Sequence, residues 1–248
     1  YANYSMITQA IINILTILAN TIQPTIGDYF TEKNYRRNYE ILRQLTFVFF
    51  CISSVVAVGL FSLITPFICD IWLSPAYELG WGTAVLCIVV LLIKITGLPL
   101  SLMMGVTGLF EKEKNAGASS AVLNLVVSLA LVRPYGMTGV LLGTLLSYLL
   151  QISYRYVIFF RDFLGMKEEA IRYARDLGEY TAVMILEVAV TRRIIPLIYG
   201  NGGMTPFIFC FVLCILVPLA LNGVFFGRGW RLQSIVKMVR GMKRSGSR

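Results

Sequence analysis

The sequence predicts an all-α integral membrane protein. Of its 248 residues, 57% are hydrophobic and only 14% are charged, and the mean hydropathy is +0.73. One soluble core of this length cannot hide so much apolar surface, so lipid is expected to be part of the solvent. The apolar runs lack the period-two alternation of a membrane-spanning β-barrel, which leaves helices as the spanning elements.

Seven segments are predicted to cross the bilayer, because each comes near the roughly 20 helical residues that span about 30 Å of hydrocarbon. The fourth is the shortest. In chain order the predicted spans are Ala2–Gly27, Gln44–Ile68, Gly82–Thr107, Ala118–Val132, Gly139–Phe160, Glu179–Ile198 and Pro206–Phe226.

The gaps between these spans alternate between rich and poor in Lys and Arg. Of the 22 basic residues, 17 lie in four alternate gaps, which are Asp28–Arg43, Gly108–Gly117, Arg161–Gly178 and the tail from Gly227. The three gaps between them hold only Arg133. Basic residues near the ends of spans stay in the cytoplasm, so the C-terminus is predicted to lie inside and Tyr1 outside. The net charge of +9 then needs no nucleic-acid partner.

Two basic segments show an amphipathic pattern. In Asp28–Arg43, Tyr35, Tyr39 and Leu42 share one helical stripe, which predicts a helix lying at the headgroup level. The tail from Gly227 repeats the pattern, with an apolar stripe opposite its basic residues. Both segments are expected to contact membrane lipids.

The start of the chain predicts that it is part of a longer one. Seven crossings place Tyr1 outside, yet the chain has neither a starting Met nor a preceding signal peptide. We expect the C-terminal portion of a larger membrane protein.

Catalytic and cofactor motifs are missing from the sequence. It contains no His, no G-x-S-x-G elbow and no phosphate-binding G-x-x-x-x-G-K-[ST] loop, and its five Cys show no paired C-x-x-C spacing. We therefore expect no enzyme, no cofactor and no metal site, which leaves transport or scaffolding.

The spacing Gly139-x-x-x-Gly143 predicts close packing of two helices.

Four basic residues fall within the spans: Lys94, Arg155, Arg192 and Arg193. A charge at the bilayer centre costs at least about 2.5 kcal/mol, so such residues usually face a polar cavity or a partner. Arg155 is near enough to the cytoplasmic end, and the other arginines to the outer end, to reach the headgroups. Lys94 lies mid-span, so it is the main candidate substrate-binding residue, with Arg192 and Arg193 as outer candidates.

Glu187 is the acidic residue at the same predicted depth. It can form a structural ion pair with Lys94 or with an arginine on a helix outside this chain, it can carry a coupling proton or belong to a substrate or ion site, or it can face lipid. The sequence leaves these alternatives open.

Three stretches resemble one bacterial transporter family. Tyr1-Ala2-Asn3-Tyr4-Ser5 opens an apolar helix that closes with Gln23-Pro24-Thr25-Ile26-Gly27-Asp28. Pro66-Phe67-Ile68-Cys69-Asp70-Ile71-Trp72-Leu73 follows, and then Asn124-Leu125-Val126-Val127-Ser128 and Tyr135-Gly136-Met137-Thr138-Gly139-Val140-Leu141-Leu142-Gly143-Thr144. These stretches are similar, in order and spacing, to those of the O-antigen and capsule repeat-unit flippases of the multidrug/oligosaccharidyl-lipid/polysaccharide superfamily.

The resemblance implies a MATE-like fold of two helical lobes around a central cavity. Residues 1–160 would be second-lobe helices, 161–178 a cytoplasmic amphipathic linker, 179–226 an extra helix pair and 227–248 a basic tail. The other lobe would belong to the same protein and would precede Tyr1. The chain would reside in the bacterial cell membrane.

The function implied is the transfer of an oligosaccharide on polyprenyl pyrophosphate from the inner to the outer leaflet, by alternating access. The family motifs do not include Lys94 or Glu187, whose roles rest on their depth alone. Two alternatives remain: a cation-coupled drug exporter of the same fold, for which Glu187 would be the coupling residue, and a non-transporting scaffold. A membrane-embedded transferase would need a His or carboxylate constellation that the chain lacks.

Overall fold

The computed structural model describes residues 1–29, 34–200 and 203–227. These residues form seven α-helices and no strand, which confirms the all-α class. Two helices continue as π-helical turns, α2 over Phe67–Trp72 and α5 over Ile158–Leu164. The helices are α1 (Ala2–Tyr29), α2 (Tyr35–Pro66), α3 (Trp81–Val106), α4 (Phe110–Tyr135), α5 (Met137–Val157), α6 (Lys167–Tyr199) and α7 (Met204–Phe226).

Each predicted span corresponds to one of these helices. Six of the seven described helices are long and apolar enough to cross a membrane, and the chain is a multi-pass α-helical membrane protein. The remaining helix, α6, has 33 residues and the length to cross, but Glu187, Arg192 and Arg193 all lie in its apolar half and lower its hydropathy. A seventh crossing by α6 stays a prediction.

Several helices extend beyond the predicted spans. α4 already begins at Phe110, so most of the basic gap before it is helical. α6 begins at Lys167, so most of the segment 161–178 that was expected to be a linker is continuous with the helix that follows it. Gly165, with φ of +65°, breaks the chain between α5 and α6 instead.

The sequence predicted a separate helix lying at the headgroup level before the second span. For the residues that the structure describes, this prediction is wrong. α2 begins at Tyr35 and runs without a break, and Tyr39 and Leu42 are buried in the core. Tyr39 packs edge-on against Phe160, with the ring centroids 6.2 Å apart. Two of the three residues of the stripe therefore face the protein core rather than lipid, while Tyr35 is exposed. The similar pattern in the tail lies outside the described residues.

The packing places α2 and α3 at the centre. α2 contacts α3, α6 and α7, while α3 also contacts α1 and α5, and α4 packs on α5. α4 leaves an apolar stripe of Val122, Leu125, Val126 and Leu129 exposed for contact with lipid. The bundle thus consists of two groups, α1–α3–α5–α4 and α2–α6–α7, joined where α2 meets α3.

An ion pair and a hydroxyl contact join α6 to α2 near the N-terminal end of each helix. Arg43 of α2 binds Asp176 of α6, with 2.6 Å between Nη2 and Oδ2. Beside this ion pair, the hydroxyls of Thr46 and Tyr173 are 3.1 Å apart. Burial raises the pKa of the Tyr173 phenol to about 12, so this contact stays uncharged near neutral pH.

Candidate functional site

Lys94 lies midway along α3, on the side that faces α1 and α5. Its side chain is half-buried, and the ammonium Nζ is 4.8 Å from the centroid of the Tyr148 ring on α5. Within the described part of the chain it forms no ion pair. A cation over an aromatic face is stabilised by the ring quadrupole, and its hydrogen-bond donors remain available.

Two adjoining cavities meet at Lys94, and we call them together the Lys94 trough. The larger has a volume of about 260 Å³ and the smaller about 110 Å³, and both are lined by Gln9, Ile12 and Lys94. The trough lies between α1, α3 and α5. The polar side chains that line it are Tyr1, Ser5, Thr8, Gln9, Asn13, Thr16, Lys94, Ser101, Thr144, Tyr148, Gln151 and Arg155.

Amide side chains form the open edge of the trough. Gln9 and Asn13 are both exposed on α1, and Gln9 Nε2 donates to Asn13 Oδ1 at 2.7 Å. Gln151 of α5 is half-buried on the opposite side. Amides and hydroxyls can donate and accept hydrogen bonds, so this edge suits a ligand rich in hydroxyl groups.

Arg155 also lines the trough, but an acidic residue of the neighbouring helix α4 neutralises its charge. Arg155 Nε donates to Glu113 Oε1 at 2.6 Å, its Nη2 contacts the same oxygen, and Gln151 Nε2 lies 3.4 Å from it. The sequence suggested that Arg155 reaches the headgroups, whereas the structure turns it toward α4. Lys94 is therefore the uncompensated cation of the trough.

Glu187 lies away from the trough, where α6 faces α2 and α7. The residue is fully buried, and Ser54 and Cys51 of α2 lie close enough to interact with its carboxyl group. No salt bridge joins it to Lys94. The structure therefore separates the two residues whose pairing the sequence left open.

Arg192 and Arg193 are also apart from Lys94. Both are exposed, and the guanidinium carbon of Arg192 is 4.1 Å from the centroid of the Trp81 ring at the start of α3. Along α3, Trp81 and Lys94 are separated by about 20 Å at the helical rise. Lys94 and these arginines thus occupy different levels of the bundle.

Sequence reasoning missed Gln9, Tyr148 and Glu113 as parts of this region. A signal was present on α5, where Tyr148, Gln151 and Arg155 follow one another at i, i+3 and i+7 on one helical face. A similar signal was present on α1, where Gln9 and Asn13 are four residues apart. Glu113 carried no such signal, since its partner is 42 residues away in the chain.

The fold and the trough define a class, a multi-pass helical membrane protein with a polar cavity beside a lysine in one of its spanning helices. Comparison with protein-family models, with curated proteins and with solved structures gives no match.

Proposed function

We propose that this protein translocates polyprenyl-pyrophosphate-linked oligosaccharide units from the inner to the outer leaflet of a bacterial cell membrane. The observation that carries the proposal is the Lys94 trough: an uncompensated cation in the middle of a spanning helix, surrounded by amides and hydroxyls. The resemblance of three sequence stretches to O-antigen and capsule flippases supports the same substrate class.

The polarity of the trough suits a substrate of this kind. The pyrophosphate is anionic and can accept hydrogen bonds from the Lys94 ammonium, while the amides of Gln9, Asn13 and Gln151 can bind sugar hydroxyls. The polyprenyl chain needs no polar site, because it can stay in the hydrocarbon. Alternating access would be completed by the other lobe, and Arg192 or Arg193 would receive the pyrophosphate on the outer side.

Export of cationic drugs is less well supported. A cationic substrate would be repelled by Lys94. No acidic side chain is among the described residues that line the trough, and Glu113, which binds the trough residue Arg155, is already paired. Glu187, the acid that a coupled exporter would use, lies outside the trough lining. In a non-transporting scaffold we would expect Lys94 and Glu187 to form one buried pair, and these two residues form no salt bridge with each other.

The proposal is tested by leaflet transfer of a fluorescent lipid-linked oligosaccharide in vesicles that contain the full-length protein. Lys94→Gln should lower the initial rate by about tenfold or more, because loss of a desolvated charge contact typically costs 2–5 kcal/mol. Lys167→Gln, on an exposed lysine at the start of α6, is the matched control and should keep the wild-type rate.

Two results would contradict the proposal. Absence of transfer by the wild-type protein would reject the flippase function. Equal rates for a well-folded Lys94→Gln variant and the Lys167→Gln control would reject the role of Lys94.

A further inference from the structure

Among the residues that the structure describes, Glu187 is a buried acid without a charged partner. Its exposed fraction is 0%, and neither carboxyl oxygen has a hydrogen bond of good geometry, although the Ser54 hydroxyl lies near enough to interact. An ionised carboxylate in such a place costs several kcal/mol unless it is paired.

The helices packed around Glu187 supply no cation. α7 has no Asp, Glu, Lys or Arg, and α2 has none after Arg43, which is bound to Asp176 at the far end of the helix. The titratable group that faces Glu187 from α2 is the Cys51 thiol. On α6 itself the nearest cation along the chain is Arg192, which lies at the Trp81 ring.

The polar groups around Glu187 have more acceptors than donors. Asn222 of α7 donates through Nδ2 to Ser54 Oγ at 2.9 Å, and this leaves Asn222 Oδ1 buried without a donor. The Thr191 hydroxyl is not free to help, since it donates to the backbone carbonyl of Glu187 at 2.7 Å. The Ser54 hydroxyl, which accepts from Asn222, keeps its own hydrogen and can donate one bond. At least two of the three oxygens, which are the two carboxyl oxygens of Glu187 and Asn222 Oδ1, therefore still lack a donor.

We propose that Glu187, with Ser54 and Asn222, is a proton-binding site at the junction of α2, α6 and α7, and that the packed junction holds the carboxyl in its protonated form. The proton removes the unpaired charge and supplies the missing donor. Loss of the proton would place an anion between three apolar helix faces, so the junction must admit water or open before the proton leaves. The inference does not depend on the proposed function, because it concerns proton binding by the protein itself.

The direct test is infrared spectroscopy of the full-length protein in lipid at neutral pH. We expect the carbonyl-stretch band of a buried protonated carboxylic acid in the wild-type protein, and its loss in Glu187→Gln. Glu168→Gln is the matched control on the same helix, because the Glu168 side chain is 83% exposed, and it should keep the band. Ser54→Ala should shift the frequency of the band, which keeps the test informative if Glu187→Gln does not fold.

A second measurement separates a proton from a metal cation. The melting temperature of the wild-type protein should be the same in sodium and in potassium buffers, and Glu187→Gln should melt with it because the amide mimics the neutral acid. The proposal is overturned if wild type and Glu187→Gln have identical carboxylic-acid bands. It is also overturned if sodium, but not potassium, stabilises the wild-type protein and leaves Glu187→Gln unchanged, which would assign the oxygens to a sodium ion.

Discussion

Lys94 lies beside an aromatic ring rather than beside an acid. The other three basic residues in the predicted spans have other surroundings: Arg155 is bound to Glu113, Arg192 lies on Trp81, and Arg193 is exposed. A cation–π contact contributes about 0.5–2 kcal/mol, depending on desolvation, and a tetrahedral ammonium in such a contact still has N–H groups that point away from the ring. Tyr148 therefore positions Lys94 without using up its hydrogen-bonding capacity.

Replacement of Tyr148 by Leu should weaken the binding of a lipid-linked oligosaccharide by about three- to tenfold, because the ring that holds the ammonium is lost. Tyr148→Phe is the control, since it keeps the ring and removes only the hydroxyl group, and its affinity should stay within about twofold of wild type. The dissociation constant is measured with the detergent-solubilised full-length protein. An equal loss in both variants would mean that the hydroxyl, and not the ring, supports the site.

The contact between α4 and α5 illustrates how two elements approach each other. Gly136, with φ of +55°, turns the chain between them, and Asn124 Nδ2 lies 3.3 Å from Ser147 Oγ across the interface. A Cβ atom on Gly143 would overlap the Ser128 hydroxyl and lie 3.0 Å from the Ser128 backbone nitrogen. The close packing predicted from the Gly139-x-x-x-Gly143 spacing is confirmed.

Gly143→Ala should lower the free energy of unfolding by about 1–3 kcal/mol, because the added methyl group has to push α4 away from α5. Gly117→Ala is a matched control on α4, where a Cβ atom would meet nothing within 4 Å. That change should raise the stability slightly, since alanine favours the helix by about 0.5–1 kcal/mol. Chemical unfolding in detergent, followed by circular dichroism, provides the measurement, and equal effects of the two changes would contradict the packing argument.

In the whole molecule, the arrangement of the helices keeps Lys94 and Glu187 in separate surroundings. Lys94 belongs to the group formed by α1, α3, α5 and α4, and Glu187 belongs to the group formed by α2, α6 and α7. The two groups are joined where α2 meets α3. Within the described residues, the molecule thus contains a polar trough with a lysine that forms no ion pair and a closed polar junction with a glutamate that forms none.

The predicted orientation of the chain in the membrane rests on its charges and can be tested by labelling. Ala76 lies in the exposed turn between α2 and α3, in a gap without basic residues, and Lys167 lies at the exposed start of α6. With the native cysteines replaced, a membrane-impermeant maleimide should label Ala76→Cys in intact cells and label Lys167→Cys only after permeabilisation. The reverse pattern would show that the predicted orientation is wrong.

The sequence by itself determined the features that depend on hydropathy and local spacing. Apolar length was enough to locate seven helices, and the glycine spacing was enough to predict the close packing of α4 on α5, because both depend on residues near one another in the chain. The depth of Lys94 followed in the same way from its position in α3. These properties need no knowledge of which helix packs on which.

Only the tertiary structure decided which polar groups meet. Tyr39 and Leu42 have an interfacial pattern, yet they are buried, because a stripe of this kind fits a neighbouring helix as well as it fits lipid. Arg155 pairs with Glu113 and Asn222 reaches Ser54 across intervals of 42 and 168 residues. No local pattern encodes such intervals, so the neutralisation of Arg155, the isolation of Lys94 and the surroundings of Glu187 depend on how the helices are packed.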